Sequence, residues 1–428
     1  MKKFISKLIP NPLKRRIRNS VDNLKEAYYE KEQENLHQKA LRRVKNKEKI
    51  NVVFFAILPS VWKYDSVFKL MQKDSLFNPI ILVCPQVNRG KEFMFSELKR
   101  CYEYFKNKGY NTICSYDYNS KKLIDARDLS PDIIFYTNPY KGLIDDKYYI
   151  TNFRDILTCY VNYGFLSVDK NWTTSLPLHK LVWKFFCEYD HTRHLKAVGT
   201  KLKYHNRIVT GYPIFDCFIN PNYDCNDWKI ENPEIKKIIW APHHSIDPNR
   251  LINFSTFLKY YDLMLKLRDK YKNQIQIAFK PHPLLRSKLE EFSDWTKERI
   301  NEYYANWANG ENSSLVEGDY INLFKSSDAM IHDCGSFTIE YLYTQKPVMY
   351  TNDESHASEL NPEAQMAFNS HYLVHQPQDI EDFILNVVIA GNDTMKEKRK
   401  LVYNSLLLPP NNKSVAENII EHIKSNLK

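Results

Sequence analysis

The sequence contains little glycine, with 10 in 428 residues against an ordinary share of ~7%. Neither G-x-G-x-x-G nor G-x-x-x-x-G-K-[ST] occurs, which excludes the glycine-rich dinucleotide turn and the P-loop. The nucleophile elbow G-x-S-x-G is also missing, which argues against a serine hydrolase. No run of eighteen apolar residues is present, so nothing in the sequence predicts a membrane-spanning helix.

Paired cysteines are missing as well. The 8 cysteines stand singly, and no C-x-x-C spacing occurs. A single thiol inside an apolar stretch behaves as a small hydrophobic residue. This pattern predicts a reducing compartment and no cysteine-based zinc site.

The positive charge of the chain is concentrated at its N-terminus. Residues 1–50 contain 15 Lys and Arg against 6 Asp and Glu, whereas the other residues contain 46 against 45. Within residues 1–18, seven cations and no acid alternate with large apolar side chains. We therefore predict that residues 1–49 form a basic amphipathic segment that binds an anionic membrane surface. A helix packed on its own domain is the main alternative, and nucleic acid binding is disfavoured because no known motif is present.

The rest of the chain alternates short β-rich runs with helical patterns. Apolar runs of four to six residues bounded by Pro or Asn are typical of parallel strands buried on both faces. The predicted strands are 51–58, 80–84, 112–116, 132–137, 158–164, 237–242, 274–281, 328–332 and 347–350. The predicted helices are 61–74, 91–108, 173–188, 252–271, 286–306, 336–344 and 414–428.

This alternation stops once, in a polar stretch with two prolines, and then restarts. It predicts an α/β protein with two Rossmann-like domains that face each other across a cleft, followed by a helical tail. The predicted boundaries are 50–219 for the first domain, 220–234 for a linker, 235–377 for the second domain and 378–428 for the tail. Ligands of such sheets bind beyond the carboxyl ends of the strands, so the cleft is the expected site.

Three polar clusters directly follow predicted strands of the second domain. We call them the His243 turn (242–245), the His282 turn (280–283) and the Ser336 turn (332–336). Because the carboxyl ends of parallel strands meet at one edge, we expect the three turns to converge.

The side chains of these turns suit a nucleotide diphosphate. Gly335 permits a tight turn, and we expect Ser336 to cap the following helix, whose first amides attract an anion. Glu340, one turn further, is expected to reach a ribose hydroxyl. The predicted nucleotide-binding residues are Lys280, His282, Asp333, Gly335, Ser336, Phe337 and Glu340.

The histidines allow more than one interpretation. His243 or His244 is a candidate for acid–base chemistry, and the choice between them stays open. A ring packed in the core is the alternative for each histidine. We expect no metal site, because the adjacent rings of His243 and His244 would point apart on a strand or turn.

Four segments of the second half resemble the CDP-glycerol glycerophosphotransferase family, the teichoic-acid and capsule polymerases and primases of bacteria. They are VTGYPIFD (209–216), IIWAPHHS (238–245), FKPHPLL (279–285) and SSDAMIHDCGSFTIEYLYTQKPVMY (326–350). The resemblance implies a GT-B fold, transfer of glycerol phosphate from CDP-glycerol and peripheral attachment at the cytoplasmic face of the bacterial inner membrane. It matches His282 to the family's histidine turn and Ser336 to a serine of its nucleotide-phosphate motif.

The sequence departs from this family at two places. Where many members have a His-Gly pair whose histidine is the implied base, this chain has Tyr163-Gly164, and a tyrosine is a weak base near neutral pH. Where many have Thr-x-Arg, this chain has residues 243–245, His-His-Ser. The candidate catalytic residues are therefore His282, His243, His244 and Tyr163.

The functional hypothesis is a transferase that moves a polyol phosphate from a CDP-linked donor, CDP-glycerol or CDP-ribitol, to a hydroxyl of a lipid-linked acceptor or a growing polysaccharide. It needs no tightly bound cofactor and no nucleic acid. One alternative is a GT-B glycosyltransferase that uses a nucleotide sugar. Another is a non-catalytic membrane-bound scaffold, since the expected base is replaced at Tyr163.

Overall fold

The computed structural model describes residues 31–427 except 198–205, 222–226, 250–252, 352–357 and 359. The basic segment 1–18 of the sequence analysis lies outside the described residues. Among the residues that are described, no helix combines the length and the apolar character that crossing a bilayer requires.

The first lobe is built on a seven-stranded parallel sheet. In chain order the strands of this lobe are β1 (Ile50–Ala56), β2 (Phe77–Val83), β3 (Thr112–Cys114), β4 (Tyr116–Asp117), β5 (Lys122–Leu123), β6 (Ile133–Tyr136), β7 (Leu157–Val161), β8 (Lys184–Cys187) and β9 (Arg207–Val209). The sheet order is β3-β2-β1-β6-β7-β8-β9, and β4 and β5 form a separate hairpin. The helices are α1 (31–44), α2 (Asp65–Lys73), α3 (Lys91–Asn107), α4 (Asn171–Thr174), α5 (Pro177–Leu181), α6 (Thr192–Ala197) and α7 (Ile214–Ile219), with 3₁₀ turns at Pro59–Val61, Ala126–Leu129, Asp146–Tyr148 and Ile150–Asn152.

The second lobe repeats this topology with six parallel strands. They are β10 (Lys236–Ala241), β11 (Ile275–Phe279), β12 (Ser313–Leu315), β13 (Ala329–His332), β14 (Val348–Tyr350) and β15 (Tyr372–Leu373), in the order β12-β11-β10-β13-β14-β15. Its helices are α8 (Phe257–Lys270), α9 (Leu285–Leu289), α10 (Lys297–Asn309), α11 (Ile321–Ser326), α12 (Phe337–Glu340), which continues as a 3₁₀ turn at Tyr341–Thr344, and α13 (Pro362–Phe368).

Successive side chains of the strands fill the two faces of each sheet. Along β1, Val52 and Phe54 belong to one apolar cluster, while Val53 and Phe55 belong to another on the opposite face. This alternation follows from the two-residue period of a strand. Both faces are buried, as the continuous apolar runs of the sequence predicted.

The tail returns to the first lobe and joins the two halves. It contains α14 (Pro377–Asp382) with a π turn at Phe383–Ile389, α15 (Lys396–Val402) with a π turn at Tyr403–Leu407, a 3₁₀ turn at Pro410–Asn412, and α16 (Val415–Leu427). The first amides of α16, Val415 and Ala416, each donate to the Asp216 carboxylate at 2.8 Å. Helix α16 packs against α2, and its Ile419 shares an apolar cluster with Val52 of β1 and Ile239 of β10. This is the two-lobed GT-B arrangement that the sequence predicted.

Some predicted elements are wrong in detail. The helix expected over 173–188 is two short helices, α4 and α5, followed by strand β8. The helix expected over 286–306 is interrupted between α9 and α10. The short strands β9, β12 and β15 were not predicted, because two or three residues carry no recognisable period.

Candidate active site

A cleft of about 1210 Å³ lies between the lobes, and the loops that follow β1, β6, β7, β10, β11 and β13 line it. The two walls meet closely at one point. A β-carbon placed on Gly164 of the first lobe would lie 3.8 Å from Cβ of Ser336 in the second. The Tyr163-Gly164 turn and the Ser336 turn, both expected at the site, therefore lie side by side.

Three histidine rings cluster on the wall of the second lobe. The ring centroids are 4.2 Å apart for His243 and His244, 4.9 Å for His243 and His282, and 4.1 Å for His244 and His282. The His243 and His282 turns thus converge, as predicted. The expectation that the adjacent rings of His243 and His244 point apart is wrong, because the loop after β10 turns both towards His282.

Hydrogen bonds within each turn orient two of these rings. The Leu284 amide donates to Nδ1 of His282 at 3.1 Å, and Nδ1 of His243 lies 2.8 Å from Oγ of Ser245. A neutral imidazole that accepts at Nδ1 carries its proton at Nε2. His282 therefore offers a hydrogen-bond donor at its outer nitrogen, held on a turn between Pro281 and Pro283.

The cluster consists of neutral rings near pH 7. Burial is the main cause that lowers the pKa of His243 to about 3, of His244 to about 4 and of His282 to about 2. Each neighbouring ring disfavours a further positive charge on His282. An anion at this wall would therefore be held through hydrogen bonds more than through net charge.

The same three rings have the composition of a metal-ligand set. One nitrogen from each of His243, His244 and His282 lies within 4.8 Å of the others, and imidazole suits zinc and similar ions. A ligating histidine normally donates its second N–H to a partner. Nδ1 of His282 instead accepts the Leu284 amide. In this tautomer His282 fits an anion better than a cation.

Asp333 lies behind the histidine cluster. Its carboxylate accepts the amide of His243 at 2.5 Å, and the amide and hydroxyl of Thr256 at 2.6 and 3.0 Å. Burial raises the pKa of Asp333 to about 6. Asp333 was predicted to bind the nucleotide, but in the structure its carboxylate holds the His243 turn in place.

Lys280 is the basic residue of the His282 turn. It is buried, its Nζ donates to the carbonyl oxygen of Gly318 at 3.0 Å, and it lines the cleft. Burial lowers the pKa of Lys280 to about 8. Lys280 therefore lines the cleft as a buried amine, and an anion beside it would favour its charged form.

The Ser336 turn exposes backbone amides to the cleft. Gly335, Ser336 and Phe337 line it, and among the described residues no acceptor contacts their N–H groups. Ser336 itself has helical backbone angles, and its side chain caps nothing, so the predicted capping role is wrong. The predicted helix over 336–344 is instead the four-residue helix α12 followed by a 3₁₀ turn. Because Ser336 Oγ caps no helix, it is available to a ligand.

Glu340 belongs to a buried network that crosses between the lobes. Its carboxylate accepts hydrogen bonds from the hydroxyls of Tyr212, at 3.2 Å, and of Tyr320. Nζ of Lys63, from the first lobe, donates to the Tyr320 hydroxyl at 2.6 Å. Contact between Glu340 and a ribose stays a prediction. Lys63 and Tyr320 were not among the predicted site residues, since neither belongs to a recognisable motif.

Two tyrosines form the facing part of the first lobe. Tyr163 follows β7 and Tyr140 follows β6; their hydroxyl oxygens are 3.0 Å apart and their ring centroids 6.1 Å apart. Burial, followed by the neighbouring Tyr163, raises the pKa of Tyr140 well above its ordinary value. Tyr140 was not among the predicted site residues, although its position three residues after the predicted strand 132–137 was a usable signal.

Comparisons with known proteins agree with this architecture. The sequence model of the family described as CDP-Glycerol:Poly(glycerophosphate) glycerophosphotransferase matches residues 189–425. A structure of a variant of the wall teichoic acid polymerase TagF is similar, with a TM-score of 0.57 and 14% identity over 96% of this chain and 98% of that chain. A search of curated proteins finds no match.

Two further solved structures have the same fold. The S. aureus MnaA–UDP co-structure has a TM-score of 0.54 and 15% identity, and covers 89% of this chain and 97% of its own. A UDP-N-acetylglucosamine 2-epimerase described as putative, from Listeria monocytogenes, has a TM-score of 0.54 and 14% identity with the same coverage. At such identities the likeness shows the fold alone.

Proposed function

Because this chain belongs to the CDP-glycerol:poly(glycerophosphate) glycerophosphotransferase family, we propose that it transfers glycerol phosphate from CDP-glycerol to a hydroxyl of a cell-surface glycan or teichoic-type polymer, with release of CMP. The observation that carries the proposal is the position of the family match relative to the three turns of the cleft. The family match, 189–425, includes all three turns whose side chains converge in the cleft.

In this proposal the donor lies on the second lobe. Its diphosphate sits between the His282 turn and the Ser336 turn, where Lys280, Nε2–H of His282 and the amides of residues 335–337 are donors. Hydrogen-bond donors fixed in advance around a phosphate stabilise charge without reorganisation during the reaction. The turn at Tyr163-Gly164 brings in the acceptor, since it lies against Ser336.

The proposed reaction is one in-line displacement at phosphorus. The acceptor oxygen forms a bond to the phosphorus that carries glycerol, the bond from that phosphorus to the CMP oxygen breaks, and CMP takes the electron pair. His282 donates to the departing oxygen, while His243 or His244 receives the hydroxyl proton. The loose transition states of phosphoryl transfer need positioning and charge stabilisation more than a strong base. The presence of Tyr163, where many family members have a histidine, is therefore compatible with catalysis.

A donor screen tests the proposal. The full chain is incubated with CDP-glycerol, CDP-ribitol, UDP-sugars and CMP-sugars, and the released nucleotide and the product mass are measured with a polysaccharide acceptor. We expect CMP release from CDP-glycerol or CDP-ribitol and a product heavier by one polyol phosphate. Turnover of a UDP-sugar alone would establish the glycosyltransferase alternative, and no turnover of any donor would favour the scaffold.

We further propose that the enzyme works at the cytoplasmic face of the bacterial inner membrane as a peripheral protein. The support is the charge pattern of residues 1–18, with seven cations and no acid between apolar side chains. Deletion of residues 1–18 is expected to abolish sedimentation with anionic liposomes and to leave transfer to a soluble acceptor unchanged. Equal sedimentation of the deleted and complete chains at moderate salt would contradict this.

A further inference from the structure

The part of the first-lobe wall that carries Tyr163, beside the Ser336 turn, is aromatic and uncharged. Tyr140, Asn162, Tyr163 and Gly164 line it, and Tyr163 is 37% exposed. We infer that this wall binds a neutral sugar ring, so that the acceptor receives the phosphate on a sugar unit and not on the terminal glycerol phosphate of a polymer. This inference rests on the proposed transfer function and names its acceptor class.

The geometry of the tyrosine pair suits a sugar. The rings of Tyr140 and Tyr163 are inclined at 64° with centroids 6.1 Å apart, and their hydroxyls form one hydrogen bond of 3.0 Å. A sugar ring presents C–H groups on its faces and hydroxyls on its edge. An aromatic ring with a polar tip can contact both at once, because one end is apolar and the other forms hydrogen bonds.

The first-lobe cations among the described residues that line the cleft each contact a neighbouring side chain. Arg100 pairs with Glu97 at 2.6 Å, Lys63 donates to Tyr320, and the guanidinium of Arg89 lies 4.2 Å from the centroid of the Phe93 ring. A chain of glycerol phosphates would instead need several free cations, since each of its units carries a negative charge. Arg89 is exposed, so it is the residue that would bind a chain of glycerol phosphates if the inference were wrong.

Direct binding tests the inference without any donor. Saturation-transfer NMR is recorded on the full chain with two probes, a panel of neutral p-nitrophenyl hexosides and a synthetic tri(glycerol phosphate). We expect transfer to at least one hexoside, a drop of at least fivefold in Tyr163→Ala, and a smaller drop in Tyr163→Phe, which keeps the ring. Tyr118→Ala is the matched control, because Tyr118 is 57% exposed on the β4–β5 hairpin, and it should change nothing.

Two other results of the binding experiment would contradict the inference. Binding of tri(glycerol phosphate) that is lost in Arg89→Ala, with no hexoside bound, would overturn the inference. So would hexoside binding that is equal in Tyr163→Ala and the parent, each checked for folding by circular dichroism. If a hexoside binds through Tyr163 but no CDP-linked donor is turned over, the acceptor inference stands and the proposed donor is wrong.

Discussion

The two lobes have the same strand order around their first strands but different chemistry at the strand ends. The second lobe places His243, His244, His282 and Lys280 after β10 and β11, whereas the first lobe places Tyr140 and Tyr163 after β6 and β7. The side chains of the second lobe are hydrogen-bond donors that suit an anion, whereas those of the first lobe are uncharged rings. The shared topology therefore supplies only the location of the site, and the loop side chains decide which substrate each lobe binds.

The largest expected effect tests the histidine wall. His282→Ala removes the Nε2–H donor, so turnover per folded molecule should fall ~10²–10³-fold. The rate constant is normalised to the folded fraction from circular dichroism. His375→Ala, at an exposed histidine outside the cleft, is the control and should keep the parent rate. A normalised rate of His282→Ala within about threefold of the parent would assign His282 to packing.

The facing arrangement of the two walls also depends on the contact between the first lobe and the tail. Gly211 has a φ of +86°, and a β-carbon there would lie 2.9 Å from Cβ of Pro409 in the tail. Gly211→Ala should therefore destabilise the fold by about 2–4 kcal/mol, from backbone strain and the clash together. Gly391→Ala is the matched control, since Gly391 has a φ of +76° but open space around it, and should cost about 1 kcal/mol. Urea unfolding of both variants measures the difference, and equal losses would contradict the tail contact.

Lowering the pH should destabilise the fold through the buried ring of His282 in the second-lobe wall. The folded-state pKa of His282 lies at about 2, below its unfolded value near 6.5, so the unfolded chain binds a proton first as the pH falls. The contribution of His282 to stability is thus present above pH 6.5 and lost below it. At pH 5 this loss should be roughly 1–2 kcal/mol, allowing for partial exposure.

Urea unfolding at pH 7 and pH 5 provides the test. His282→Gln should lose less stability between these two pH values than the parent, whereas His375→Gln should lose as much as the parent. An equal loss in His282→Gln would show that the ring is already protonated in the folded protein.

The smallest effect concerns the Ser336 turn. Because Ser336 Oγ caps no helix, Ser336→Ala should leave the melting temperature unchanged and weaken CDP binding by about 1 kcal/mol through one lost donor. Calorimetry with CDP and thermal unfolding are measured on the same sample. A lower melting temperature with unchanged CDP affinity would return Ser336 to a capping role.

Much of the fold follows from local patterns. The predicted strands at 51–58 and 80–84 correspond to β1 and β2, because buried parallel strands are continuous apolar runs that a sequence displays directly. The predicted helix over 173–188 failed because β8, Lys184–Cys187, is four residues long and follows two short helices. A run of that length becomes a strand only when neighbouring strands β7 and β9 are there to pair with it.

The site divides in the same way. Sequence alone determined which side chains follow which strands, and hence that His243, His282 and Ser336 would reach one cleft, since parallel strands end at one edge. Only the tertiary structure decided how these groups point. It turns His243 towards His244, assigns the carboxylate of Asp333 to the loop behind them, and brings Tyr140 to Tyr163. The loop that carries His243 is held by Asp333, 90 residues further along the chain, and Tyr140 meets Tyr163 from another strand, so no local pattern records these contacts.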